Sequence, residues 1–222
     1  MIKAIVFDFD GLIIDTETAL YQAYRELLEE HNVTLSIAEY ASYVGTDPGA
    51  LYEFLTNQLT GKMTREEIIE KSYKLHREKL KEPIAREGVQ EYLEEAKKQG
   101  LKIGLASSSD REWIIHFLKE LQIINYFEVI KTRNDVEKVK PDPALYKKVI
   151  KDLGILPSEA IAFEDSANGN KAAVVAGLNC VIVPNMVTKT LTFDKYHLRM
   201  SSMKEKSLGE IIEFITSCAK KI

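Results

Sequence analysis

Short apolar runs recur along the chain at residues 4–7, 101–106, 127–130, 160–163 and 180–183. They are rich in Val, Ile and Leu and continuous rather than alternating, which is how parallel strands covered on both faces read. Helical spacing fills the intervals. Residues 88–99 end at Gly100, a good helix stop, and residues 168–176 end at Gly177. Ser109-Asp110-Arg111-Glu112 has capping-box spacing and opens a predicted helix running to about Leu121. Another helix is expected over 142–153. Strands alternating with helices predict an α/β fold, a Rossmann-like doubly wound parallel sheet.

Residues 16–82 break that rhythm, with no convincing strand. Residues 16–31 are amphipathic, with Ala19, Leu20, Ala23, Tyr24, Leu27 and Leu28 on one face. Asp47 and Pro48 start a helix to about Leu59. Thr64-Arg65-Glu66-Glu67 is a second capping box, opening a long helix to about Leu80. The expected organisation is a core of residues 1–15 and 83–222 with an inserted all-helical cap at 16–82. The two junctions, near 15–17 and 81–86, are expected to form a hinge.

Composition narrows the function classes. A net charge of −4 and a pI near 5.7 leave no electrostatic footprint for nucleic acid. Cys180 and Cys218 are far apart, without metal-ligand spacing or a disulfide framework, and Cys180 reads as a buried thiol. That suits a reducing cytoplasm. The N-terminal apolar run is interrupted by Asp8, Asp10 and Asp15, unlike a signal peptide. No stretch approaches the roughly 18 apolar residues of a membrane span. The expectation is a cytoplasmic monomer with no membrane and no nucleic-acid partner. His31, His76, His116 and His197 fall on helix or loop surfaces by pattern.

The chemistry collects at the ends of the predicted strands. In an open parallel sheet, ligands bind beyond the carboxyl ends of the strands. The first strand delivers Asp8 and Asp10, and the second Ser107, Ser108 and Ser109. Lys140 follows the third, and Glu164 and Asp165 end the fourth. Carboxylates at the end of a buried strand are costly unless a cation compensates. Mg²⁺ answers that need, because it takes oxygen ligands and keeps waters that a phosphate can replace.

The order Asp8-x-Asp10-Gly11, Ser107 after a strand, Lys140-Pro141, and Glu164-Asp165-Ser166 resembles the haloacid dehalogenase superfamily. The helical insertion and residues 7–17 are similar to the subfamily containing β-phosphoglucomutase and phosphoglycolate phosphatase, which carries a small helical cap. The resemblance implies that Asp8 attacks phosphorus and that Asp10 serves as acid and then base. It implies Mg²⁺ held by Asp8, the Asp10 main-chain carbonyl and Asp165, with Glu164 as a ligand or holding a coordinated water. Ser107, Ser108 and Lys140 are expected to bind the substrate phosphate. The expected activity is a Mg²⁺-dependent phosphatase acting on a small phosphorylated metabolite, a sugar or polyol phosphate, through an aspartyl-phosphate.

Two alternatives are weighed against this expectation. A β-phosphoglucomutase-type mutase grips its distal phosphate with a cap arginine, and Val44-Gly45-Thr46-Asp47-Pro48 contains none. Leu20 replaces the mutases' early cap histidine, and Asp110 and Arg111 align with a lysine and an asparagine; Arg111 is a candidate phosphate contact. A phospho-receiver switch has similar groups around Mg²⁺, but the helical insertion and Asp10 argue against it. The loop 45–49 is the expected reader of the substrate.

Overall fold

The computed structural model describes residues 1–44 and 48–219. The chain divides into two compact units. One comprises Met1–Ile14, Pro83–Pro184 and Thr192–Ile222; the other comprises Asp15–Glu82 and Asn185–Leu191.

The first unit is built on a parallel sheet of β1 (Ala4–Phe7), β2 (Lys102–Ala106), β3 (Val129–Lys131), β4 (Ala160–Glu164), β5 (Asn179–Ile182) and β6 (Leu198–Arg199). The strand order is β3-β2-β1-β4-β5-β6. The chain runs outward from β1 through β2 to β3, then returns to place β4 on the other side of β1. The winding therefore reverses between β1 and β4, the place where such sheets open a crevice for ligands. Every residue of β1 and β4 is buried, which explains why both runs are continuously apolar up to their ends. Phe7 stacks on Phe163 with ring centroids 5.6 Å apart, and Tyr92 meets Phe163 edge-on at 5.3 Å.

The helices, in chain order, are α1 (Thr16–Glu29), α2 (Ile37–Ala41), α3 (Pro48–Gln58) and α4 (Arg65–Lys79) in the second unit. Those of the first unit are α5 (Val89–Lys98), α6 (Arg111–Glu120), α7 (Ala144–Leu153), α8 (Ala167–Val175) and α9 (Leu208–Ala219). Helix α7 lies so close to the sheet that a Cβ on Gly104 would stand 2.5 Å from Val149 Cγ1. Among the described residues, no helix is long and apolar enough to cross a membrane.

The second unit packs α1, α3 and α4 around Tyr24, Leu27, Leu28, Leu55, Leu59 and Ile68. Val187, from the distant segment Asn185–Leu191, joins this cluster. The capping box at Thr64 forms as its spacing predicts, with Thr64 Oγ1 accepting from the Glu67 N–H and the Glu67 carboxylate accepting from the Thr64 N–H. His76 corrects its expected surface position. It is buried, and Nε2 lies 3.2 Å from the Thr16 carbonyl oxygen, because α4 packs this face against α1.

Other elements depart from the pattern. Strand β3 begins at Val129 rather than 127, since Phe127 closes a 3₁₀ turn over Ile124–Tyr126. Helices α2 and α9 and the two-residue β6 have no counterpart among the predicted elements; β6 is too short to leave a periodic signal.

Candidate active site

The site begins where β1 runs out. The Asp8 N–H still donates to the Phe163 carbonyl at 3.0 Å, so the β1–β4 ladder continues one residue past the strand. That continuation sets Asp8 beside Glu164, the last residue of β4. Asp165 follows, and Ser166 caps α8 by accepting from the Gly169 N–H at 3.1 Å. Asp8, Glu164 and Asp165 are all buried, and each offers a carboxylate oxygen within 4.8 Å of the others.

Lys140 enters this cluster from the loop before α7. Its Nζ donates to Asp8 Oδ1 at 2.5 Å and to Glu164 Oε1 at 2.7 Å. The Tyr146 hydroxyl, carried by α7, donates to the same Glu164 oxygen at 2.5 Å. Burial disfavours the Lys140 ammonium, yet Asp8 and Glu164 more than reverse this and raise its pKa. Asp8 is raised as well, by burial first and by the charges of Glu164 and Asp10, although Lys140 opposes the shift. The cluster is therefore short of positive charge. Three buried carboxylates set against one ammonium carry a formal charge of −2 (three minus one) when all are ionised. A divalent cation balances that charge, and an all-oxygen donor set suits a hard one. The residues present fit such an ion.

Asp10 belongs to a different set of contacts. The backbone turns after it: the Gly11 N–H donates to the Ile14 carbonyl at 2.8 Å, with Gly11 at φ 79°, a conformation that favours glycine. The Arg86 guanidinium anchors this turn by donating to the carbonyls of Gly11, Val183 (3.0 Å) and Pro184 (2.8 Å). The Asp10 carboxylate accepts from Ser109 Oγ at 2.6 Å and Trp113 Nε1 at 2.9 Å, and more weakly from Ser107 Oγ at 3.4 Å.

The predicted site residues thus separate into two groups. Asp8, Glu164, Asp165 and Lys140 meet in one buried cluster, and Asp10 meets Ser107 beside it. Ser108 is half-buried and takes no part in these contacts. Ser109 corrects the capping-box expectation: the N-cap of α6 is Asp110, which makes no side-chain capping bond, and the Ser109 hydroxyl serves Asp10 instead. Arg111 is exposed, donating to the Ile130 carbonyl at 3.3 Å and lying 3.6 Å from Asp135 Oδ2. Residues 45–47 of the expected substrate-reading loop lie outside the described residues.

Four contributors were not singled out by pattern: Arg86, Trp113, Tyr146 and Gly169. Trp113 had one available signal, as the chain's only tryptophan, four residues beyond Ser109. Gly169 follows Glu164-Asp165-Ser166 closely, and its place is sterically dictated. A Cβ there would stand 1.9 Å from Glu164 Oε2.

The chain is similar to known proteins along most of its length. Residues 5–183 match the model of the haloacid dehalogenase-like hydrolases. The Bacillus subtilis protein YhcW is 46% identical over 218 residues, covering 98% of this chain and 99% of its own. The phosphorylated carbohydrates phosphatase of Thermotoga maritima is 31% identical over 180 residues, 79% of this chain and 82% of its own. Among solved structures, β-phosphoglucomutase from Clostridium difficile superposes with a TM-score of 0.72 at 26% identity, covering 99% of both chains. On its sequence motifs, its sheet and its matched length, the chain belongs to the haloacid dehalogenase-like hydrolase family.

Proposed function

We propose that this protein is a Mg²⁺-dependent phosphatase for a small sugar or polyol phosphate, working through an aspartyl-phosphate at Asp8. The observation that carries the reading is the buried cluster of Asp8, Glu164, Asp165 and Lys140, with a further carboxylate, Asp10, held next to it by hydroxyl and indole donors. The relative that acts on phosphorylated carbohydrates supports the substrate class.

In this reading an Asp8 carboxylate oxygen attacks phosphorus as the bond to the leaving oxygen breaks. Asp10 gives its proton to that oxygen, and the alcohol departs. Asp10, now a carboxylate, takes a proton from water as the water oxygen bonds to phosphorus and the Asp8–phosphorus bond breaks. Phosphate leaves, and both aspartates return to their starting states. Lys140 carries charge on both sides of the exchange, offsetting Asp8 and Glu164 before the substrate arrives and the transferring phosphoryl group afterwards. Ser107 and Ser108 complete the phosphate's hydrogen bonds. Asp8, Asp165 and the Asp10 main-chain carbonyl, with Glu164 alongside, would hold the divalent ion, which would supply positive charge to the phosphate.

The test is phosphate release from a panel of sugar and polyol phosphates, with Mg²⁺ and with excess chelator, for the wild type and Asp8→Asn. The expected outcome is metal-dependent release that Asp8→Asn abolishes. Undiminished release in chelator would refute the metal's part. Accumulation of a phosphosugar isomer without phosphate release would assign mutase chemistry instead.

A further inference from the structure

Asp10 carries the proton in the reaction proposed above, and a carboxylate that hands a proton to one atom must present one oxygen in one direction. Its two oxygens are held by different kinds of donor. Oδ1 accepts from the Trp113 indole at 2.9 Å, and Oδ2 accepts from the Ser109 hydroxyl at 2.6 Å. An indole N–H can only donate, so the oxygen facing it must remain an acceptor. A serine hydroxyl donates or accepts, so it tolerates Oδ2 with or without a proton.

The indole is itself braced. Trp113 meets Phe117 edge-on with centroids 4.6 Å apart and planes at 72°, and Phe117 lies 6.3 Å from Phe9, the residue before Asp10. Phe9 and Phe117 are buried, whereas Trp113 is half-buried. The ring that fixes Asp10 is thus locked to the same turn that carries Asp10.

We propose that Trp113 is a positioning residue for Asp10: its indole N–H holds Oδ1 as an acceptor and leaves Oδ2, beside Ser109, as the oxygen that carries the transferred proton. The inference rests on the acid–base reading of Asp10, and its test separates the two. A merely structural tryptophan slows every substrate alike. A residue that aims the acid matters most where the leaving group needs a proton, as in an alkyl phosphate, and less for an aryl phosphate.

The probes are β-glycerol phosphate and p-nitrophenyl phosphate in saturating Mg²⁺. They are compared by kcat/KM, which covers the step in which the leaving group departs. Trp113→Phe is expected to lower kcat/KM for β-glycerol phosphate about tenfold, the scale of a hydrogen bond to a charged group, and that for p-nitrophenyl phosphate by about threefold or less. In an Asp10→Asn background the same change is expected to add nothing further. Equal losses on both probes, no loss on either, or an undiminished loss in the Asp10→Asn background would overturn the proposal. Wild-type rates on β-glycerol phosphate in Asp10→Asn alone would instead remove the acid–base reading beneath it. A second measurement needs neither turnover nor a folded Trp113 variant. Because Trp113 is the only tryptophan in the chain, its emission reports on this contact directly. Asp10→Asn is expected to shift the emission maximum of the protein; superimposable spectra would overturn the contact on which the proposal stands.

Discussion

Gly169 and Glu164 approach so closely that a single methyl group at position 169 would stand 1.9 Å from Glu164 Oε2 and 2.0 Å from its carboxyl carbon. Glu164 is fully buried and held by Lys140, Tyr146 and the Ser166 hydroxyl. The missing side chain is therefore what allows the first turn of α8 to close over the carboxylate cluster. Gly169→Ala tests this against helix propensity, which by itself would favour alanine by about 1 kcal/mol. If the cluster holds Mg²⁺ as proposed, the substitution is expected to weaken that binding by at least about tenfold, with the far-UV circular dichroism unchanged; calorimetric titration with the metal is the measurement. Wild-type metal affinity would show that Glu164 can move aside without disturbing the cluster.

Lys140→Ala should act on both rate and stability. In the proposed mechanism Lys140 contacts the transferring phosphoryl group, and its loss is expected to cost at least about two orders of magnitude in kcat. The change also leaves Asp8 and Glu164 buried without their ammonium, which is expected to cost about 3–5 kcal/mol in metal-free protein. Steady-state kinetics and denaturant titration in chelator check the two parts. A folded variant with wild-type kinetics would return Lys140 to the status of a loop lysine.

His197 gives the fold a dependence on pH. His197 is exposed, yet its Nδ1 accepts from the Cys180 N–H at 3.2 Å, and the loss of solvation on that side lowers its pKa. The unfolded chain takes up a proton near pH 6.5 while the folded one resists it. The contribution of His197 is therefore fully present above about 6.5 and is lost as the pH falls towards the folded-state value. His197→Asn is expected to flatten the fall in melting temperature between about pH 7.5 and 5.5 relative to wild type. Parallel curves for the two proteins would refute this assignment.

Cys180 is fully buried, with Sγ accepting from Asn170 Nδ2 at 3.4 Å, and burial pushes its thiol up to about 12. The thiolate is the reactive form, so Cys180 should be inert in the folded protein at pH 8. A disulfide reagent is expected to titrate no more than Cys218 in native protein and both cysteines in denaturant. Rapid reaction of both thiols under native conditions would contradict the burial of Cys180.

The alternation of strands and helices was legible in the chain because a strand buried on both faces must be apolar at every position. The runs at 4–7 and 160–163 therefore announce β1 and β4 before any contact is known. The acids that close those runs were legible for the converse reason. Asp8, Glu164 and Asp165 interrupt apolar stretches where burial makes a carboxylate costly, a cost that a bound cation would offset. The capping box at Thr64 was equally local, since its partners lie within one helical turn.

What the tertiary structure decided is what depends on partners distant along the chain. Nothing near Ser109 shows that its hydroxyl is taken by Asp10, and without that knowledge its spacing reads as a helix cap. His76 sits on a largely polar helix, and only the packing of α4 against α1 buries it. Trp113 and Phe117 look like one apolar helical face until Phe9 closes against them and the indole N–H is left facing Asp10. Gly169 looks like a neutral residue in a helix until Glu164 fills the space where its side chain would be. Periodicity encodes which face of an element is covered. It does not encode which atom arrives on the other side, because that is settled by the pairing of β1 with β2 on one side and β4 on the other, which brings residues more than a hundred positions apart into hydrogen-bond contact.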